Sequence, residues 1–197
     1  MSMEKVSLEH LPSEYAIHLA LFREVENAAF LHQQLLGRNP AFEYAFVDAS
    51  VVVSRRQLLS VVFKATLAAV NGTLKTPNVH SEIVVSLSTS SNIADAYRRF
   101  GVSPSTKDLL VVKVTFPTES EPRPVSSDGI WEHLRSNVQG RAVDASDENI
   151  ATATDLAKVR KYYKLNGLGW LDAIQDDGEK RAEMEMLILG AMALRGV

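Results

Sequence analysis

Residues 75–101 read KTPNVHSEIVVSLSTSSNIADAYRRFG, and the rest of the chain is assembled around this stretch. A polar loop leads into the β-branched run 83–87 (IVVSL), which predicts a strand. A Ser/Thr-rich turn follows, then a helix over 93–100 that Gly101 stops. Ser88, Thr89, Ser90 and Ser91 fall where that strand gives way to that helix. Hydroxyls and unpaired backbone N–H groups would there sit at the positive end of a helix dipole, a place that suits an anion. Plain helix capping is the competing account of the same residues.

Upstream, residues 15–23 (YAIHLALFR) alternate, with Tyr15, Ile17, Leu19 and Leu21 on one side and His18 on the other, and predict a strand. Residues 26–36 have helical spacing and Gly37 as a stop, and residues 42–47 predict a second strand. Ser54 and Gln57 form a capping box ahead of a helix carrying Leu58, Val61, Val62, Ala65 and Ala69, which Asn71-Gly72 ends. Downstream, residues 109–116 (LLVVKVTF) predict a fourth strand. Residues 117–127 hold three prolines without periodicity and read as an exposed connection. From Asp128 onward the pattern is helical only: 129–138, a segment between Asp147 and Lys164, and 179–194. The expected architecture is α+β: one domain over residues 1–197, with a mixed four-stranded sheet covered by helices and a helical C-terminal region.

With 197 residues and 46% hydrophobic content, the chain can bury an ordinary core. Its 21 Lys and Arg nearly balance 24 Asp and Glu, so any nucleic-acid contact must be local. The absence of cysteine removes thiolate catalysis and cysteine-ligated metal. The first residues lack the apolar stretch of a secretory signal, and the longest apolar runs are far below the roughly 20 residues of a membrane helix. Both point to a soluble intracellular protein in nucleus or cytosol, without a membrane partner.

Catalytic signatures fail one after another. Residues 72–76 (GTLKT) lack the upstream glycine and the Gly-Lys pair of a phosphate loop, and Gly167-Leu168-Gly169 lacks the third glycine of a dinucleotide fingerprint. The five histidines never occur at a metal-binding spacing, so neither a metal nor a cofactor is expected. The enzyme alternative is a small α+β catalyst in which His80 and Glu82, alternating at the edge of the 83–87 strand, share one face as an acid–base pair; a solvated or partner-facing pair is the competing account.

Binding surfaces are better represented. In the terminal segment 179–197 (EKRAEMEMLILGAMALRGV), Met184, Leu187, Ile188, Ala191 and Leu194 make one apolar face. Met186, Leu189, Gly190 and Ala193 lie on a second flank where charges would be usual, a candidate seat for a partner protein or for a second copy of the chain. Burial of the whole helix within its own domain is the alternative. Lys64, Lys75, Arg98 and Arg99 are near the serine turn in sequence, and Lys158, Arg160, Lys161 and Lys164 are interleaved with Tyr162 and Tyr163.

The block 78–102 (NVHSEIVVSLSTSSNIADAYRRFGV), followed by LLVVKV and a terminal AMALRGV, resembles the TPRKB family, the small kinase-binding subunit of the KEOPS (EKC) complex. Asn78, Ser81-Glu82, Leu87-Ser88, Ser91-Asn92-Ile93 and Phe100-Gly101 carry the match. HLALFREVENAAFLHQQL and KVRKYYKL extend it over nearly the whole chain. The resemblance implies a non-catalytic subunit of the complex that makes N6-threonylcarbamoyladenosine at position 37 of tRNA. It implies binding to a PRPK-type atypical kinase/ATPase and, through it, to the threonylcarbamoyl transferase subunit. It also implies contact with the tRNA 3′ CCA end, and roles in telomere maintenance and transcription. Carried over by position, the kinase-facing candidates are Met186, Leu189, Gly190, Ala193 and Leu194. The RNA-facing candidates are Lys64, Lys75, Asn78, Ser88, Ser90, Ser91, Asn92 and Arg98. Residues 117–127 and 167–178 depart from shorter relatives as insertions, with exposed padding as the expectation.

Overall fold

The computed structural model describes residues 3–119 and 121–194. Their centre is strand β2 (Ala16–Arg23), whose burial is nearly complete along its length. Its alternation sends Ile17, Leu19 and Leu21 into one hydrophobic cluster and Ala20 and Phe22 into another, so the sheet is buried on both faces. One edge of β2 pairs with β4 (Leu109–Thr115), which in turn pairs with β3 (Ala45–Asp48). The other edge is divided between two three-residue strands. β1 (Glu4–Val6) covers Ile17–Leu19 and β5 (Arg141–Val143) covers Leu21–Arg23.

The α+β class holds, with two corrections to the sheet. It has five strands among the described residues rather than four, and every pairing is antiparallel rather than mixed. β5 also interrupts the region expected to be helical only. Strands of three residues at a shared edge are too short to show alternation.

One face of the sheet is covered by α1 (Ala28–Leu36) and α5 (Ser127–Asn137) through Leu31, Ile130 and Leu134. The other is covered by α2 (Arg55–Val70), α3 (Val79–Ser86), α4 (Ile93–Phe100) and the C-terminal helices α6 (Asp147–Ala153), α7 (Leu156–Tyr162), α8 (Gly169–Ala173) and α9 (Asp177–Ala193). The cap forms with its return bond shifted by one residue: Ser54 Oγ accepts from Gln57 N at 3.0 Å, while Gln57 Oε1 accepts from Val53 N at 2.8 Å rather than from the N–H of Ser54 itself. Gly72, at φ 64°, closes α2 as read, with Thr73 N donating to Ala68 O at 2.8 Å. After α1 the left-handed position is taken by Arg38, at φ 51°, and Gly37 stays right-handed.

The largest correction concerns residues 83–87, expected as a strand and found within and just after α3. Asn78 Oδ1 caps this helix by accepting from Ser81 N at 2.8 Å, and Glu82 lies in its first turn. Ile83, Val84, Val85, Ser86 and Leu87 are all buried, so the helix shows no polar stripe. An apolar run buried all round cannot be told from a core strand by its period. The connection after β4 is exposed as expected at the described positions 117–119 and 121–123. The 167–178 segment is not padding throughout, because Leu171 on α8 is fully buried in the core.

Candidate interaction sites

Helix α9 separates its two faces sharply. Met184, Ile188 and Met192 are buried in the main core, each such side chain contributing about 1.5–3 kcal/mol on full burial. Leu187 and Leu189 are half-buried against the same cluster. Beyond them the flank is open: Met186 is 63% exposed and Leu194 70%, with Gly190 and Ala193 also exposed. A Cβ added at Gly190 would meet nothing within 4 Å, so no neighbour within the described residues requires glycine there. The five residues expected to face a partner thus divide into one that also packs at home, Leu189, and four turned to solvent.

The residues expected to face RNA are distributed differently. Ser88–Asn92 connects two helices, α3 and α4, not a strand and a helix. Ser88 is buried and its Oγ accepts from Ser90 N at 3.0 Å. Ser90 Oγ accepts from Asn92 N at 3.1 Å, and Asn92 Oδ1 caps α4 by accepting from Asp95 N at 3.0 Å. Asp95 occupies the first turn of α4 and pairs with Arg98 and with Arg99, the latter at 2.8 Å. Ser91 lies exposed on the turn. Lys75 is exposed, and its backbone N–H donates to Glu82 Oε2 at 3.0 Å, next to the Asn78 cap. Lys64 stands apart from this group on α2, donating from Nζ to Met192 O at 3.2 Å at the C-terminal end of α9, where a cation suits the dipole.

His80 and Glu82 do not form the acid–base pair of the enzyme alternative, nor do they lie solvated side by side. Two residues apart on a helix, they leave it on nearly opposite sides. Val114 N–H donates to His80 Nε2 at 3.0 Å, so the proton is on Nδ1, which donates to Glu43 Oε1 at 3.2 Å. Burial holds the His80 imidazole below its ordinary range. Glu82 accepts from Thr76 Oγ1 at 2.8 Å as well as from Lys75 N, bracing the entry to α3. Neither lines the cleft of about 780 Å³ at the outer edge of β2 nor that of about 560 Å³ beside α2.

The two candidate regions are connected by a residue that sequence reading placed only in a basic-aromatic segment. Tyr163, following α7, donates its hydroxyl to Leu87 O at 2.7 Å, accepts from Gln57 Nε2 at 2.8 Å and lies 3.7 Å from Met192 Sδ. Burial pushes its phenol well above the usual range. The signal that could have singled it out is a fully buried glutamine, Gln57, needing a partner.

A family model described as kinase binding protein CGI-121 matches residues 22–196. The chain belongs to the CGI-121 family. Members similar to it are named EKC/KEOPS complex subunit CGI121. That of Gibberella zeae is 68% identical over 197 residues, covering all of both chains. That of Neurospora crassa is 46% identical over 210 aligned positions, again with full coverage of both. That of Schizosaccharomyces pombe is 31% identical over 153, covering 78% of this chain and 84% of the relative.

Proposed function

We propose that this chain is a non-catalytic subunit of an EKC/KEOPS complex, binding that complex's small atypical kinase/ATPase through the exposed flank of α9. The observation that carries the reading is Met186, Gly190 and Ala193 lying open on a helix whose opposite face is already docked. Contiguous apolar surface left over after folding marks a place where another protein is seated. In this reading the chain supports formation of N6-threonylcarbamoyladenosine at position 37 of tRNA, in nucleus and cytoplasm. It reaches the threonylcarbamoyl transferase subunit only through the kinase, and the telomere and transcription roles belong to the whole complex. Lys75, Asn78 and the Ser88–Asn92 turn, with Lys64 and Arg98, take part in holding the tRNA 3′ CCA end.

Copurification with the kinase tests the first part. Ala193→Glu and Met186→Glu abolish capture while leaving circular dichroism unchanged; loss of the fold in both variants would put the flank in the core and end the proposal. Retention of tRNA tests the second. Lys75→Glu and removal of the terminal CCA each weaken it, and indifference to both removes the RNA role.

A further inference from the structure

The open flank of α9 is too small to hold a protein by itself. A stable contact covers about 800 Å² of each partner, drawn from about 20–30 residues. Met186, Gly190, Ala193 and Leu194 fall far short of that, so the contact must continue onto a neighbour of α9.

Helix α2 is the neighbour on one side. Ser54 Oγ donates to Glu185 Oε1, Arg56 pairs with Glu185 Oε2 at 3.3 Å, and Lys64 reaches Met192 O. The two helices therefore run side by side in the same direction. Residues one turn apart share a flank, so Leu189 and Ala193 continue the Glu185 row toward α2, and Ser60 and Lys64 continue the Arg56 row toward α9. Past that row the outer side of α2 is apolar again. Leu59 and Phe63, both half-buried, open into the cleft of about 560 Å³, with Leu8 on its far wall and Ser60 and Arg56 on the wall nearer α9.

We infer that this cleft is the second half of the kinase-docking face, receiving apolar side chains of the same kinase whose main contact is α9. The inference rests on the reading above. Continuity supports it, since Arg56, which lines the cleft, pairs with Glu185 of α9. Helix α8, also in contact with α9, exposes Trp170 with Asp172 on the same helix.

The test is calorimetric titration of the full chain with the recombinant kinase subunit of the same organism. Ser60 is exposed and its hydroxyl donates within its own helix, to Arg56 O at 2.8 Å, so Ser60→Arg lays a charged chain over the cleft without entering the core. Binding weakens about tenfold or more at an unchanged unfolding temperature, Ser60→Ala stays near wild type, and a photo-crosslinking side chain at position 60 captures the kinase. If Ser60→Arg binds normally and no crosslink forms while Ala193→Glu still abolishes binding, the α9 reading stands and the cleft is excluded. Loss on Trp170→Ala with Ser60→Arg unaffected moves the contact over α8 and overturns the inference. A wild-type chain that does not bind the kinase overturns both.

Discussion

The flank of α9 and the Ser88–Asn92 turn were both candidate sites from their composition, and folding treats them in opposite ways. On α9 the apolar residues exceed what the core can take, and Met186, Gly190 and Ala193 are left over. In the turn the polar groups are largely used: Ser88, Ser90 and Asn92 each accept a backbone N–H, and the two arginines of α4 are paired with Asp95. Surplus marks the stronger site. An anion at the turn must displace or share bonds already made, whereas a protein on α9 covers surface that water holds weakly.

The comparison breaks most visibly within α9 itself. Ile188→Ala removes a fully buried side chain and lowers unfolding free energy by about 2–5 kcal/mol, whereas Met186→Ala changes it by less than about 0.5 kcal/mol, measured by urea denaturation. Similar losses for the two would erase the distinction between docked face and open flank.

Acidification probes the helix that precedes the turn. His80 titrates below its ordinary 6.5 in the folded chain because burial penalises the imidazolium, and His18 and His133 are lowered for the same first reason, with Lys113 adding to each. The unfolded chain then binds more protons than the folded one, so stability is complete above pH about 6.5 and is lost progressively as pH falls below it. Thermal unfolding between pH 7.5 and 5 shows this slope, and His80→Gln flattens it. An unchanged slope in that variant would mean His80 does not titrate with folding.

At the turn, Asn92→Ala removes the cap of α4 and costs about 1 kcal/mol, with any loss of tRNA retention following the loss of order. Retention that falls while stability does not would give Asn92 a direct contact. The smallest effect sharpens the contrast most. Gly190→Ala raises the stability of the isolated chain by up to about 1 kcal/mol, since the added methyl meets nothing and alanine favours helix. If the kinase docks on α9 as proposed, the same change weakens its binding, and stability and affinity move in opposite directions; unchanged affinity would place the contact away from Gly190.

Much of this was legible in the sequence, for reasons that can be named. β2 was readable through Ile17, Leu19 and Leu21 on the face that meets the larger core, and α2 announced itself through Ser54, Gln57 and a helical apolar spacing. The open side of α9 was readable because a helix with apolar residues on two flanks exceeds what docking needs. What failed was α3: a helix with Ile83, Val84 and Val85 in succession, buried all round, carries the composition of a strand and no period to contradict it. That single misreading placed the serine turn after a strand and put His80 and Glu82 on one face. The edge strands β1 and β5, at three residues each, were too short to register.

One hydroxyl does more than fill a vacancy in the core. Tyr163 ties the carbonyl at the end of α3 to the glutamine of α2 and touches the last turn of α9. The serine turn and the terminal helix are therefore braced against a common post, a single phenol whose loss would loosen both at once.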